Sequence, residues 1–149
     1  MSNKYRLFLD DYRIPLDCIS YMYQRIGKMN PIYLEKDWVI VKDHDAFVKH
    51  ITKYGLPEIV SFDHDLADEH YATEANWDNY TEWVESQEFK EKTGYDCAKW
   101  LIDYCMEHNQ KLPFFIVHSM NPSGTENILS LLTNFKNFQE SENQTTKKD

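Results

Sequence analysis

The sequence predicts an α/β protein, a three-layer sandwich in which helices cover both faces of a mostly parallel sheet of about four strands. Three observations support this fold. Four short apolar runs have the composition of strands, helical patterns lie between them, and the last three runs are apolar nearly throughout. Continuous apolar runs are typical of parallel strands that are buried on both faces. Such strands are joined by right-handed crossovers, which the intervening helices provide.

The individual elements follow from local patterns. We predict strands at residues 5–9, 38–41, 58–62 and 113–117, and helices at residues 13–29, 43–54, 93–109 and 125–138. The helix at 93–109 has the most regular apolar face, formed by Cys97, Trp100, Leu101, Tyr104 and Cys105. The helix at 13–29 is the least regular, and we expect it to end in a loop before Asn30.

The chain is expected to form one domain at residues 1–138, followed by a disordered polar tail at residues 139–149. Residues 67–92 interrupt the step from the third strand to the next helix, and they carry eight acidic residues against two lysines. Several aromatic residues accompany these charges. We interpret the segment as a lid-like acidic insertion, which could close over a ligand or contact a protein partner.

Composition excludes several classes of protein. A net charge of −9 disfavours a long nucleic acid duplex as a partner. No window approaches the ~18 apolar residues of a membrane-spanning helix, and the first residues lack a secretory signal pattern. The three cysteines, Cys18, Cys97 and Cys105, have no CxxC spacing, so we expect them to be reduced and the chain to be cytoplasmic.

Polar side chains follow three of the four predicted strands. Ligands of open parallel sheets bind outside the carboxyl ends of the strands, so these side chains are expected to meet at one edge. The candidates are Asp10, Asp11 and Arg13 after the first strand, Asp63, His64 and Asp65 after the third, and His118, Ser119, Asn121, Ser123 and Gly124 after the fourth.

These residue types point to metal and phosphate chemistry. Carboxylates in one cleft repel one another unless a cation compensates, and Mg²⁺ or Mn²⁺ prefers such oxygen ligands. The candidate ligands are Asp10, Asp11, Asp63 and Asp65. The guanidinium of Arg13 suits phosphate oxygens. The helix start at residues 121–124 can present N–H groups to an anion, although Asn121 and Ser123 could equally cap the helix.

Each feature also has an ordinary structural interpretation. Asp10 and Asp11 could be turn residues at the end of a strand, and His118 could be a structural histidine at the sheet edge. Thr93 or Asp96 could simply cap a helix. The coincidence of three polar clusters at one edge is what indicates a functional cleft. The sequence contains no Gly-rich phosphate loop, dinucleotide fingerprint or nucleophile elbow.

The clusters resemble those of a response-regulator receiver domain, whose sheet is flavodoxin-like. In that family the acidic residues hold Mg²⁺, and the Asp after the third strand accepts a phosphoryl group. The residues that match are Asp10, Asp11, Asp63 and Ser119. The sequence departs from the family because we find no fifth strand ending in the lysine that couples phosphorylation to signalling.

A closer resemblance is to the cyclic-phosphate-processing receiver-like domains of bacteria and phages. The motifs LFLDDYR, SFDHDL and HSMNPSG carry it, and they span residues 7–124. Gly94 and Asp96, in the helix TGYDCAKWL, are similar to that group as well. The resemblance implies a Mg²⁺-dependent site for a cyclic or terminal phosphate of a nucleotide or an RNA end. If the chain is phage-encoded, its compartment would be the host cytoplasm.

The hypothesis for the reaction is hydrolysis. Asp10, Asp11 and Asp63 would hold the metal, while Arg13 and the amides of residues 121–124 would bind the phosphate oxygens. Either His118 or His64 would move the proton between the attacking water and the leaving sugar oxygen. Asp63 as a covalent nucleophile is implied only by analogy with receivers, and the neighbouring His64 and Asp65 favour attack by water.

Three other functions stay open at this point. The same cleft could sequester a phosphorylated nucleotide signal without turnover. An acidic-cluster nuclease of the Toprim type is suggested by Asp63 and Asp65, but such an enzyme would have a glutamate where Asp10 stands. The third alternative is a degenerate receiver that acts only as a protein-interaction module.

Overall fold

Strands and helices alternate along the chain, as predicted. The computed structural model describes residues 5–26, 30–66, 92–119 and 121–148. The elements are β1 (Arg6–Leu9), α1 (Pro15–Ile26), a 3-10 turn (Pro31–Leu34), β2 (Trp38–Val41), α2 (His44–Tyr54), β3 (Ile59–Phe62), α3 (Gly94–Glu107), β4 (Phe114–Val117) and α4 (Pro122–Lys148). The acidic insertion expected at residues 67–92 lies outside the described residues, apart from Lys92.

The strands of the described residues form one sheet in which every neighbouring pair is parallel, in the order β2-β1-β3-β4. Leu9, the last residue of β1, lies between Val41 of β2 and Phe62 of β3. Phe62 in turn lies beside Val117, the last residue of β4. All four strands therefore end at the same level, and the predicted parallel, flavodoxin-like α/β fold is confirmed.

Successive side chains of a strand point to opposite faces of the sheet, and two apolar cores result. Leu9 belongs to the larger core. Helices α2, α3 and α4 contribute Phe47, Leu101 and Leu132 to it. Phe8 belongs to the smaller core on the other face, together with Cys18 of α1 and Tyr33 of the 3-10 turn. Helices thus cover both faces of the sheet, which gives the three predicted layers.

The three cysteines are buried in these cores and form no disulfide. Cys97 and Cys105 lie on the inner face of α3, as the periodicity of the sequence predicts. Burial raises the pKa of the Cys105 thiol to about 11, so this thiol is protonated at neutral pH.

Polar side chains cap the two helices that follow β3 and β4. Thr93 and Asp96 form a reciprocal capping box at the start of α3. The side-chain Oδ1 of Asn121 accepts the backbone N–H of Gly124 at 2.9 Å in the first turn of α4. The capping interpretation of these three polar residues is therefore confirmed.

The last helix is longer than the sequence predicts. It begins at Pro122 and continues to Lys148, whereas we expected a disordered tail at residues 139–149. Gln139 supplies a physical reason, because its side chain accepts the N–H of Leu112 and donates to the carbonyl of Gln110, both at 3.0 Å. These bonds tie the helix to the loop before β4. Neither this helix nor any other in the described ranges is apolar enough over sufficient length to cross a membrane.

The start of α3 approaches β3 so closely that it requires glycine. The N–H of Gly94 donates to the carbonyl of His64 at 2.8 Å, and a Cβ at Gly94 would lie 1.7 Å from the Asp63 carbonyl oxygen. We expect Gly94→Ala to lower the free energy of unfolding by at least ~1–3 kcal/mol, the usual range for overpacking. Urea unfolding followed by circular dichroism measures this change.

The control for that measurement is Asp103→Ala, which replaces an exposed residue of the same helix. Its free energy of unfolding should change by less than ~0.5 kcal/mol. An unfolding midpoint of Gly94→Ala equal to that of the wild type would contradict the close approach of α3 and β3.

Candidate functional site

Three residues lie side by side immediately beyond the ends of the strands. The backbone N–H groups of Asp10, Asp63 and His118 donate to the last carbonyl of the neighbouring strand at 3.0, 3.0 and 2.9 Å. Each residue therefore continues the register of the sheet by one position. All three are almost completely buried, with exposed fractions of 1%, 3% and 1%. Three segments that are distant in the sequence thus meet at one edge, as predicted.

These three residues form a group that could bind a metal ion. One donor atom from each of Asp10, Asp63 and His118 lies within 4.8 Å of the other two. Two carboxylates and an imidazole are a chemically suitable donor set for a divalent cation. Asp11 and Asp65, which the sequence also predicts as ligands, do not belong to the group that the described residues form.

The carboxylate of Asp10 is held by several hydrogen-bond donors. Its Oδ1 accepts the backbone N–H groups of Tyr12 and Arg13, both at 2.9 Å. Its Oδ2 accepts a hydrogen bond at 3.0 Å involving His118 Nε2, and the Arg13 guanidinium lies 3.7 Å away. Burial by itself would raise the pKa of Asp10, but the hydrogen bonds from His118, Arg13 and Tyr12 outweigh burial and lower this pKa. Asp10 is therefore ionised at neutral pH.

Asp63 has a different electrostatic environment. Its Oδ1 accepts the backbone N–H of His64 at 2.9 Å. Burial, followed by repulsion from the Asp10 carboxylate, raises the pKa of Asp63 to about 7. The site therefore holds one compensated and one poorly compensated carboxylate, and a cation between them would relieve the repulsion.

His118 is enclosed within the fold. Its ring stacks on Phe8 with a centroid distance of 4.3 Å and an interplanar angle of 7°. Its Nδ1 lies 2.6 Å from Ser61 Oγ, and Ser61 Oγ lies 2.9 Å from the hydroxyl of Tyr33. Burial lowers the pKa of His118, although the hydrogen bond to Asp10 opposes this effect. Burial also raises the pKa of Tyr33. His118 is thus a neutral imidazole with hydrogen bonds at both nitrogens.

His64 is the more accessible of the two candidate histidines. Its side chain is 18% exposed, and its Nδ1 lies 2.9 Å from Asp65 Oδ1. The other carboxylate oxygen of Asp65 accepts a hydrogen bond from Asn121 Nδ2 at 3.4 Å. The ring packs over the first turn of α4, where a Cβ at Gly124 would lie 2.4 Å from His64 Cγ. Asp65 therefore orients His64 at the start of α4, next to the buried cluster.

The remaining polar residues after β4 lie at the start of α4. Ser119 Oγ accepts the backbone N–H of Asn121 at 3.0 Å. The backbone N–H of Gly124 donates to Asn121 Oδ1, so the helix cap already uses this N–H group. Ser123 is exposed in the first turn of the helix. Of the residues predicted to bind phosphate here, Ser119 and Asn121 thus have structural hydrogen bonds, and Ser123 faces solvent.

A known protein family matches most of the chain. The family model described as the cyclic-phosphate processing receiver domain matches residues 5–134 of the chain. The chain belongs to this family. No curated protein and no solved structure shows significant similarity to the chain.

The structure specifies how this cyclic-phosphate processing receiver domain compares with the receiver pattern. Asp10 and Asp63 follow β1 and β3, as the resemblance implies. Directly after β4, at the level of these carboxylates, the structure places His118, whereas the resemblance to ordinary receivers matched Ser119. The sheet has four strands within the described ranges, which agrees with the sequence pattern.

Sequence reasoning missed two residues of the domain, Ser61 and Tyr33. Ser61 is a completely buried polar residue of β3, two positions before Asp63. A lone serine in an otherwise apolar strand was the available sign, because buried polar groups require hydrogen-bond partners. Tyr33 contacts Ser61 from the 3-10 turn, and no local sequence pattern indicates this long-range contact.

The raised pKa of Asp63 leads to a prediction for stability. In the folded chain Asp63 keeps its proton up to about pH 7, whereas in the unfolded chain it loses the proton near its ordinary pKa. Over this interval the folded state binds more protons, so the free energy of unfolding falls as the pH rises. Without divalent cations, Asp63→Asn should remove this fall and be more stable than the wild type at neutral pH, on the order of a few kcal/mol.

Urea unfolding in the presence of a chelator, between about pH 5 and about pH 8, measures this effect. Asp103→Asn, at an exposed position of α3, is the matched control and should follow the wild-type curve. Parallel pH curves for the wild type and Asp63→Asn would show that Asp63 does not carry the proton.

Proposed function

We propose that the chain is a Mg²⁺- or Mn²⁺-dependent hydrolase that opens a cyclic phosphate of a nucleotide or an RNA end. The observation that carries the proposal is the buried group of Asp10, Asp63 and His118 at the carboxyl edge of the sheet. Membership of the cyclic-phosphate processing receiver domains supplies the class of substrate. The proposal also includes hydrolysis of a terminal phosphate on a nucleotide or an RNA end.

The residues of the cluster fit a hard divalent cation. Asp10 is ionised and Asp63 is destabilised by the neighbouring charge, so both carboxylates gain from a bound cation. When bound, the metal would polarise a phosphoryl oxygen and make water a better nucleophile. Asp10 and Asp63 would hold it, and burial would keep both carboxylates fixed in the position that the sheet register gives them.

Phosphate binding is assigned to Arg13 and the first turn of α4. The Arg13 guanidinium lies 3.7 Å from Asp10 Oδ2, which places a positive charge at the rim of the cluster. Ser123 adds a hydroxyl group in the first turn of α4, and the N-terminal end of a helix favours negative charge. The cap engages the amide of Gly124, so the backbone contribution at this helix start is smaller than the sequence suggested.

His64 is the better candidate for proton transfer. His118 has hydrogen bonds at both ring nitrogens and is 1% exposed. In His64, Asp65 engages Nδ1, so that Nε2 can exchange a proton with water or substrate. Acting as a base, His64 would take a proton from the attacking water while the water oxygen forms a bond to phosphorus. His64 would then give this proton to the leaving sugar oxygen as the bond between that oxygen and phosphorus breaks.

The acidic composition favours a small ligand over a long one. A net charge of −9 disfavours a nucleic acid duplex, because binding of a duplex depends on clustered lysine and arginine residues. A single phosphate group needs only one cation, which the buried cluster would hold, and one or two donors, which Arg13 and Ser123 would supply. The proposed partner is accordingly a small phosphorylated nucleotide or a single RNA end.

Asp10→Asn tests the metal and the reaction together. We expect a loss of turnover of at least ~100-fold, since the variant removes a metal-holding carboxylate. The Mg²⁺-dependent rise in melting temperature should disappear as well. Turnover is followed by phosphorus NMR with a nucleoside 2′,3′-cyclic monophosphate as substrate. Asp103→Asn serves as the control and should behave as the wild type.

Two outcomes of this test would reject the proposal. Full turnover by Asp10→Asn would exclude its role in holding a metal. Recovery of the unchanged cyclic phosphate from a wild-type complex would exclude hydrolysis and identify the chain as a binder of the same ligand.

His64→Gln separates proton transfer from metal binding. We expect turnover to fall by ~10²–10⁴-fold, the usual contribution of a general acid or base. The Mg²⁺-dependent rise in melting temperature should persist, because His64 lies outside the metal-binding group. His108→Gln, at the exposed C-terminal end of α3, is the matched control. Wild-type turnover by His64→Gln would show that His64 is not the general acid or base.

A further inference from the structure

A buried chain of hydrogen bonds extends from the 3-10 turn to the metal-binding cluster. The Tyr33 hydroxyl lies 2.9 Å from Ser61 Oγ, which lies 2.6 Å from His118 Nδ1. On the other side of the ring, His118 Nε2 lies 3.0 Å from Asp10 Oδ2. These four side chains are at most 2% exposed. These four side chains therefore form no hydrogen bonds with bulk water, and their donors and acceptors must be paired with one another.

The proton positions follow from counting donors and acceptors. Backbone N–H groups of Tyr12 and Arg13 already point at Asp10, so this carboxylate acts as an acceptor. The nitrogen of His118 that faces it must carry the ring proton, which leaves Nδ1 as an acceptor. The Ser61 hydroxyl then donates to Nδ1 and accepts from the Tyr33 hydroxyl. In this arrangement every polar group of these four side chains has a hydrogen-bond partner.

The opposite arrangement leaves two groups unsatisfied. If Nδ1 carried the proton, the lone pair of Nε2 would face the Asp10 carboxylate at 3.0 Å. Ser61 would then donate to the Tyr33 oxygen, and the Tyr33 hydroxyl proton would need an acceptor, for which the described residues show none. Each buried, unsatisfied polar group is destabilising. Stacking on Phe8 also holds the plane of the His118 ring in place.

We infer that Ser61 and Tyr33 are positioning residues that hold His118 in the Nε2–H tautomer, so that His118 supports the Asp10 carboxylate and does not itself bind the cation. The inference rests on the proposed metal site. It assigns the binding of the cation to two protein groups, the carboxylates of Asp10 and Asp63. A donor set of oxygens without an imidazole selects Mg²⁺ or Mn²⁺ over Zn²⁺. Hydrogen-bonded partners behind the metal ligands are a general means of fixing their orientation.

The tautomer is measured directly by NMR. A long-range ¹H–¹⁵N correlation spectrum of the ¹⁵N-labelled full chain shows which ring nitrogen carries the proton. The chain has six histidines, and the His118 signals are those lost in His118→Gln. We expect protonated Nε2 and unprotonated Nδ1 in the wild type, both without metal and at saturating Mg²⁺. In Ser61→Ala the Nδ1 signal should change, because this nitrogen loses the hydroxyl group that donates to it, and Mg²⁺ affinity should fall by ~10-fold.

Tyr33→Phe is the variant that best preserves the packing, because it removes only a hydroxyl group. It should shift the Nδ1 signal in the same direction as Ser61→Ala, by a smaller amount. Tyr5→Phe is its matched control, since the Tyr5 hydroxyl donates to the Gly55 carbonyl at the opposite edge of the sheet. This control should leave the His118 signals unchanged.

Several results would overturn the inference. These are a wild-type Nδ1 that carries the proton, loss of the Nε2 proton on addition of Mg²⁺, and a Ser61→Ala variant with wild-type signals and affinity. None of these measurements requires turnover. Bound Mg²⁺ without hydrolysis would therefore reject the proposed reaction alone, whereas absence of Mg²⁺ and Mn²⁺ binding would reject both the reaction and the metal-supporting role of His118.

Discussion

Three backbone hydrogen bonds just beyond the strand ends hold the site together. Each joins the N–H of Asp10, Asp63 or His118 to the last carbonyl of the adjacent strand. A shift of one residue in a strand would turn its side chains to the opposite face, so these bonds fix both the level and the direction of the three side chains. Asp10 and His118 are 108 positions apart in the sequence, yet they share a hydrogen bond because the sheet brings their strand ends together.

The two buried carboxylates are stabilised unequally by their surroundings. Asp10 is surrounded by donors from the following turn and from His118, which keep it charged and immobile. Asp63 accepts the N–H of the next residue, and its charge is opposed by burial and by Asp10. The fold therefore retains a local repulsion that a ligand can relieve. A bound cation would remove this repulsion, and the apolar cores on both faces of the sheet supply the stability that compensates for it.

The sequence was informative where local chemistry determines structure. Apolar runs predicted the strands, and the polar residues after them predicted the edge at which Asp63 and His118 meet. Thr93 and Asn121 were recognisable as helix caps because capping depends on residues three positions apart. The Tyr33–Ser61 contact was not predictable, since it depends on how the 3-10 turn packs against the sheet. The length of α4 was misjudged because Gln139 is held by a distant loop, which a polar composition does not reveal.

The hydrogen bond between Gly94 and His64 limits how far a change in the residues between them affects the strand ends. It closes the chain on itself at 2.8 Å, immediately before and after the segment at residues 67–91. The entropy of closing a loop grows only slowly with its length, so a segment that leaves and returns through such a narrow neck can change in size and charge at little cost to the fold. The positions of the residues at the strand ends are therefore largely independent of the length and charge of that segment.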